Sequence, residues 1–584
     1  LVGKKMPRRI FLNIHESLQK KTVRNSTFVV RLRVQHSPFI KLIGLFCWGI
    51  SASLGNAAYA QLWGIVWRPP QDTLQALVDW QAIRQLGVRV VQIEGGELPA
   101  FILDIADSLG IAVYVSLPIE ALPARALERA LPIARQQLRA LLERAGRHPS
   151  LHAIGLAQGV DTADPAACFY FETLAAEVRR YRSDLHVYYE TVFIESDQCG
   201  HTVDRVLLDA RDVDDPLLLL HRWLQAHPRI PVGIGKLGTW VRADTLRGLE
   251  VPHAPEVQAR YFEQHLRRLQ GWVDGPVFVY RWRDVPRQRP ALHHDQPYWE
   301  PYGLYTLEGL PRPARDVVHG WFTGKQRIFA FPKGHPPSPP WPWEVMLAWV
   351  PIVLLAMNYR VSPLWRLQSG RYFRAHGFYI EAVQWGRDLP PGSILAFGLA
   401  QSVALGVSLA IGLPLLRQSR AVAYLVGLLP LRVQEGVLLV LQYPVILLFL
   451  MLVGVAVGMG LWSLGLVLLS YWGHRIGYVQ ALTLALMPRW IMLVLLMVAL
   501  GLLGTKSPAG GSGLLALWLV FEGWSMQRTL RDAWQVVGGH LSRFFVAVLF
   551  HPGFILLGVV LAGAAGGLHS GDMYFLWHLL LAEF

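Results

Sequence analysis

The chain has 584 residues, 53% hydrophobic and only 16% charged, with a mean hydropathy of +0.31 and a formal net charge of +14. That excludes a disordered chain, which needs low hydrophobicity and high charge, and argues against a wholly soluble one, where charged residues supply about a quarter. The charge divides as +9 over residues 1–60, −1 over 61–340 and +6 over 341–584; the excess flanks hydrophobic runs, as topology determinants do, and leaves no basic domain to hold nucleic acid.

At the start, Arg31, Arg33 and Lys41 lead into the apolar run Leu42–Ile50, and small residues follow up to Ala58-Tyr59-Ala60. This order predicts an export signal cut near Gln61, with an uncleaved anchor as the alternative. The apolar core is short for a membrane span. Three cysteines and no CxxC exclude a disulfide scaffold or a Cys-rich zinc module. The sequence leaves open whether Cys168 and Cys199 pair in an oxidising compartment.

From Leu62, short apolar runs alternate with amphipathic helices, the pattern of a parallel α/β domain. Strands are predicted at Leu62–Trp67, Val88–Ile93, Ile111–Leu117, Leu151–Ala157, His186–Tyr189, Val206–Asp209, Pro231–Ile234 and Val277–Trp282. Helices are predicted at Thr73–Leu86, Ala100–Leu109 and Leu127–Ala145. Eight strands over residues 61–330 fit an α/β fold of the (β/α)8 TIM-barrel class, whose chemistry sits at the C-terminal strand ends. The Pro-rich segment 331–342 is expected to be a stiff spacer holding the barrel off the bilayer. Residues 343–584 are expected to form an all-α polytopic membrane domain. Its runs are Val345–Met357, 393–416, 437–472 (one span or two), 490–504, 512–524 and 545–567, six or seven spans in all. Five arginines within 359–388 place that loop in the cytoplasm, with a Tyr- and Phe-rich stretch on the inner leaflet and the barrel outside the cell membrane, in the periplasm of a bacterium. Glu522, with Arg528 one or two turns on, and His551 are the ionisable residues of the spans; interface snorkelling suits them as well as transport does.

Several segments carry a family resemblance. Leu103-Asp104-Ile105-Ala106-Asp107-Ser108-Leu109-Gly110-Ile111-Ala112-Val113, His148-Pro149-Ser150-Leu151 and Tyr302-Gly303-Leu304-Tyr305-Thr306-Leu307-Glu308-Gly309-Leu310-Pro311-Arg312-Pro313-Ala314 resemble stretches of the barrel of family 2 glycoside hydrolases. Gly235-Lys236-Leu237-Gly238 and Glu256-Val257-Gln258 are similar to segments of family 17 β-glucan hydrolases of the same clan. The resemblance covers roughly residues 62–325. It implies an acid/base Glu at the end of strand four and a nucleophilic Glu at the end of strand seven. This chain has Gln158-Gly159 and Lys236 there, and Gln92, Gly95 and Ser116 where the family tends to carry Arg, His and Glu. Glycine cannot hold a proton, and a cationic lysine cannot form the glycosyl ester.

Displaced carboxylates are therefore sought among Asp161, Glu190 and Asp284, with Glu94, Glu97, Asp209 and Asp212 also near the strand ends; a retaining pair would stand about 5 Å apart. Trp67, Gln158, Tyr189, Trp240 and Trp282 are the expected saccharide contacts, since aromatic faces stack on sugar C–H faces. His293-His294-Asp295 could suggest a metal, but three adjacent residues converge poorly on one ion, and no metal or cofactor is called for. No phosphate-binding GxxxxGK[ST] loop or kinase set is present. The expected function is a membrane-tethered, glycosidase-like barrel, inactive or atypical, that recognises a polysaccharide in envelope or exopolysaccharide assembly alongside partner membrane proteins. The alternatives are a hydrolase or transglycosylase with displaced carboxylates, and a transporter or sensor with a glycan-binding ectodomain.

Overall fold

The computed structural model describes residues 62–94, 98–243, 246–273, 275–338, 341–471, 473–505, 507–538, 551 and 570–583. The expected export signal, Gly95, Glu97 and nearly all of the predicted span 545–567 lie outside them.

Eight parallel strands close into a barrel: β1 Trp63–Trp67, β2 Val90–Ile93, β3 Ala112–Ser116, β4 Leu151–Gln158, β5 His186–Thr191, β6 Arg205–Arg211, β7 Val232–Gly238 and β8 Val277–Val279, with β8 pairing back onto β1. The strands read as nearly unbroken apolar runs because both faces are buried. One face meets the surrounding helices through Ile65, Val91, Val113, Ile154, Val187, Leu208 and Val277. The other fills the barrel with Val66, Val90, Tyr114, Ala153, Tyr188, Leu207 and Phe278. Gly155 makes room for the interior ring of Tyr188, whose carbons would stand 2.7 Å from a Cβ there.

Besides a shift at the start of β4, from Val113↔Leu151 to Tyr114↔Ala153, two irregularities interrupt the ladder nearer the mouth. In β4 the pairing steps from Gly155↔Tyr188 to Gln158↔Glu190, and in β7 from Leu208↔Ile234 to Asp209↔Lys236, passing over Gly235. A bulge moves every later side chain to the other face. Leu156 and Ala157 both join the outer layer and Gln158 turns inward; likewise Ile234 and Leu237 face out while Lys236 faces in. A disulfide between Cys168 and Cys199 ties the helix Cys168–Tyr181 to the segment after β5.

Beyond the barrel the chain is helical. Among the described residues, four helices are long and apolar enough to cross a membrane: Trp343–Val361, Pro391–Gln418, Val445–Ser470 and Tyr478–Gly501. The predicted run 437–472 breaks at Tyr443, where Pro444 starts a new helix. The predicted run 512–524 belongs to the 30-residue helix Pro508–Val537, whose second half is too polar to count among the four. Glu522 pairs with Arg489 at 2.6 Å, whereas Arg528 turns to Asp532, one helical turn on. The stretch expected on the inner leaflet forms the helices Pro363–Arg374 and His376–Gln384, which bury Trp365, Tyr372 and Tyr379 in the helical core while Phe373 and Phe378 stay exposed.

The helix ends alternate between two faces. On one, Asn358 Nδ2 donates to Ser393 O, Gln480 Nε2 to Val383 O and His474 N to Val537 O. On the other, Arg417 Nε donates to Leu292 O of the barrel, and Ser507 and Pro508 line the barrel mouth. The stretch after the barrel starts in contact with the barrel. Leu249 N and Glu250 N donate to Pro332 O and Lys333 O, laying the start of the Pro-rich segment on the barrel wall.

With the barrel on one face and the arginine-rich helices on the other, single cysteines at Gly309 and Gly370 should react with a membrane-impermeant maleimide from opposite sides. Labelling of both from the same side in intact cells would contradict this arrangement.

Candidate functional site

The strand ends converge on one ammonium. Lys236 Nζ lies 2.9 Å from Glu94 Oε1 and 3.2 Å from Glu190 Oε2, and donates to Gln158 Oε1 at 2.7 Å. Strand alternation delivers Glu94 after β2 and Glu190 in β5, while the two bulges deliver Gln158 and Lys236. Gly235 leaves the space that the Glu190 carboxyl fills, 3.2 Å from where a Cβ would be. Gln92 donates to the other Glu190 oxygen, and Ser116 Oγ bonds Tyr188 OH at 2.9 Å.

Charges of alternating sign continue outward. Arg281 Nη2 binds Glu94 Oε2 at 2.8 Å, its Nη1 binds Glu300, and Glu300 also accepts from Arg287 at 2.6 Å and from Tyr280 OH at 2.9 Å. Arg211 pairs with Asp209 two residues before it in β6, where alternation puts both side chains inside. Lys236, Arg211 and Arg281 all lie within 5.4 Å of the centre of the Tyr280 ring. A ring face attracts cations and eases their crowding.

The two central carboxyls are driven in opposite directions. Burial opposes ionisation of Glu94, but Lys236 and Arg281 outweigh it and hold the group below the usual carboxylate range. Burial raises Glu190 by more than Lys236 lowers it. Burial also disfavours the Lys236 ammonium, yet Glu190 and Glu94 hold its pKa well above that of an ordinary lysine, so it is a fixed cation. Glu300 is buried too, but Arg281 and Arg287 draw it down to about 2.

The mouth opens into a cavity of ≈ 2250 Å³, larger than the roughly 300–1,000 Å³ typical of a small-molecule site. Gly159, Gln158, Glu190, Lys236, Asp284, Trp67 and Trp240 line it. Gly159 has φ +57° and open space where a side chain would be. Trp240 stacks on His253 with ring centroids 3.8 Å apart. Trp67 sits at the edge, almost fully buried, its Nε1 donating to Asp79.

The remaining expected residues lie elsewhere. Tyr189 faces the outer layer, because its neighbours Tyr188 and Glu190 point inward, and its hydroxyl donates to Asp197 at 2.6 Å. Trp282 likewise faces outward and packs on Tyr305. Asp161 is outside the cavity, bonded to His578 of the helix Ser570–Glu583 at 2.8 Å. Asp284, though it borders the cavity, has both oxygens taken: Arg312 donates to each, and Gly303 N to Oδ1. His294 bonds Trp299 O and Tyr302 OH. Arg211, Tyr302 and Glu300 were not singled out from sequence. The two-residue step from Asp209 would have found Arg211, but nothing local marks Glu300, which arrives on a loop.

The chain matches no protein-family profile, and no curated protein matches it. Solved structures similar to it include a β-glucuronidase from an uncultured Clostridium species, with 17% identity over 45% of this chain and 50% of that one and a TM-score of 0.41. Others are a family 2 (GH2) β-galacturonidase from Eisenbergiella tayi bound to galacturonate (17%, 46% and 52%, TM-score 0.41) and a β-glucuronidase from Ruminococcus gnavus (16%, 46% and 51%, TM-score 0.40). The chain spans about half the length of these structures.

A carboxylate whose pKa is depressed in the fold stabilises it above the unfolded pKa, and that contribution disappears as pH falls through the folded value. Glu300→Gln should therefore lower the unfolding midpoint at neutral pH. The gap to the unmodified protein should narrow from about pH 5 towards about pH 2 as wild-type Glu300 takes up its proton. Melting curves across that range check this; a gap independent of pH would show that Glu300 is not ionised in the fold.

Proposed function

We propose that this protein is a membrane-tethered saccharide-binding barrel that holds a glycan in its mouth without the two-carboxylate hydrolysis of its look-alikes. The observation that carries this reading is Lys236 Nζ seated between Glu94 and Glu190, opposite a glycine at position 159. Retaining hydrolysis needs one carboxyl to attack the anomeric carbon and another to protonate the leaving oxygen. Here the ammonium fills the space between the two central carboxyls. The large cavity, with Trp240 in its lining and charged groups at the strand ends, suits a sugar chain. The Cys168–Cys199 disulfide fits an oxidising compartment outside the cell membrane, with the arginine-rich helices inside. Envelope or exopolysaccharide assembly is the setting that matches this placement.

Hydrolysis through Glu94 and Glu190 is the second reading. It is favoured by their opposite pKa shifts, which is how acid and base roles are usually divided.

The test is glycan-array binding by the whole chain in nanodiscs. Trp240→Ala should cost about 2 kcal/mol of binding, roughly thirtyfold, read on the folded protein because this side chain is buried against His253. A tryptophan with only a core role would instead destabilise the fold by about 3–5 kcal/mol. Failure of the intact chain to bind any envelope glycan would refute the binding reading. Glycoside turnover lost in both Glu94→Gln and Glu190→Gln would replace it with the hydrolytic one.

A further inference from the structure

Part of the wall of the mouth cavity belongs to the helical region. Gln418, Arg420, Tyr424 and Gln434 line it from the side opposite the strand ends, and Phe575 and Leu579 close one flank. Arg420 and Tyr424 lie on the short helix Arg420–Gly427, which begins two residues after the membrane-crossing helix Pro391–Gln418 ends. Its N-terminus is capped by Ser419 and by Glu583, which accepts from Ala421 N at 3.1 Å. Gln434 lies on the next helix, Leu431–Gln442, which leads directly into the crossing helix that starts at Pro444. These two short helices therefore lie where two spans leave the bilayer.

Their contacts show which way the mouth points. Arg289 Nη1 donates to Gly427 O at 3.0 Å, Tyr298 OH donates to Glu435 at 2.9 Å, and Leu292 packs among Val426, Leu438 and Leu441. On the far side of the mouth, Asp161 bonds His578 and Phe193 packs on Phe575. The loops that end in the site are thus turned towards the membrane region. The same two helices expose Leu425, Leu431, Val433 and Leu439 outside the cavity lining. A helix with cavity-facing polar residues and exposed leucines at the end of a span is built to lie in the headgroup layer. One helix diameter, about 10–12 Å, then separates the cavity from the lipid.

We infer that the ligand of this mouth is a saccharide still attached to a membrane lipid, and that Arg420 and Tyr424 contact its lipid-proximal end. The inference rests on the saccharide-binding reading above. A free polysaccharide needs no mouth turned to the bilayer, whereas a glycan on a lipid anchor is presented from that face. Arg420 also stands close enough to the strand ends to draw down the Asp209 carboxyl, after Arg211. One side chain therefore links the span end to the barrel floor.

The test uses the whole chain in phosphatidylethanolamine–phosphatidylglycerol nanodiscs. The probes are gluco-, galacto- and glucurono-tetrasaccharides, each free and as a dioleoylglycerol conjugate with a diazirine on the sugar next to the lipid. At least one conjugate should crosslink within residues 420–434. The yield should fall at least tenfold in Trp240→Ala, which leaves bilayer partitioning unchanged, and severalfold in Arg420→Gln. If a free tetrasaccharide binds in a Trp240-dependent way while its conjugate crosslinks only to bilayer-facing positions, or not at all, the lipid-linked assignment falls and the saccharide-binding reading stands. If neither form binds in a Trp240-dependent way, both fall.

Discussion

A buried ammonium is unfavourable unless its partners surround it closely, and the mouth of this barrel is organised around that constraint. Lys236 is satisfied by two carboxylates and an amide oxygen; one of those carboxylates is shared with Arg281, and Arg281 is shared in turn with Glu300. Removing any member leaves an uncompensated charge in a site of low dielectric, which commonly costs several kcal/mol. The network therefore acts as one unit reaching from the barrel axis to the rim. It also bears on chemistry. In a retaining glycosidase, positive charge develops on the sugar between two carboxyl groups only at the transition state. Here a permanent positive charge stands between two carboxyl groups, so the stabilisation that would favour the reaction is already satisfied by the protein.

The bulges in β4 and β7 turn that electrostatic arrangement into a fold-level device. Without them, strict alternation would point Gln158 and Lys236 at the surrounding helices, where a lysine would meet the apolar outer layer. Both irregularities lie where the strands approach the mouth, and both re-aim one polar side chain. The network and the backbone geometry thus require each other.

The strands and helices of the barrel were legible in the sequence because buried parallel strands leave continuous apolar runs; Ala100–Leu109 was bounded to the residue, and β1 and β3 to within one residue at each end. The replacements at Gly159 and Lys236 were legible as residue types, but not the partners of Lys236, since Glu94, Gln158 and Glu190 meet it only through closure of the barrel. Proximity to strand ends suggests Tyr189 and Trp282 at the mouth, but alternation next to the inward Tyr188 turns Tyr189 away, and Trp282 lies past the end of β8, where Tyr280 and Arg281 both face the mouth and the alternation no longer holds. Of the segments that carry the family resemblance, Gly235–Gly238 brings Lys236 to the site, while parts of the others hold the fold. His148 and the Ser150 amide lock onto Asp107 below the barrel, and Arg312 clasps Asp284 beside it. Hydropathy alone leaves 437–472 as one span or two, because it registers apolar length and not the break between Tyr443 and Pro444.

The helix Ser570–Glu583 is synthesised after every other described element, yet it bonds the loop beyond β4 through His578 and caps the helix at Arg420 through Glu583. During biosynthesis the barrel can close, and the preceding membrane helices can insert, while one flank of the mouth is still open. Completion of that flank therefore follows the synthesis of this helix. A nascent chain that lacks Ser570–Glu583 would present an unfinished vestibule, so the order of synthesis itself makes the mouth one of the last parts of the described fold to form.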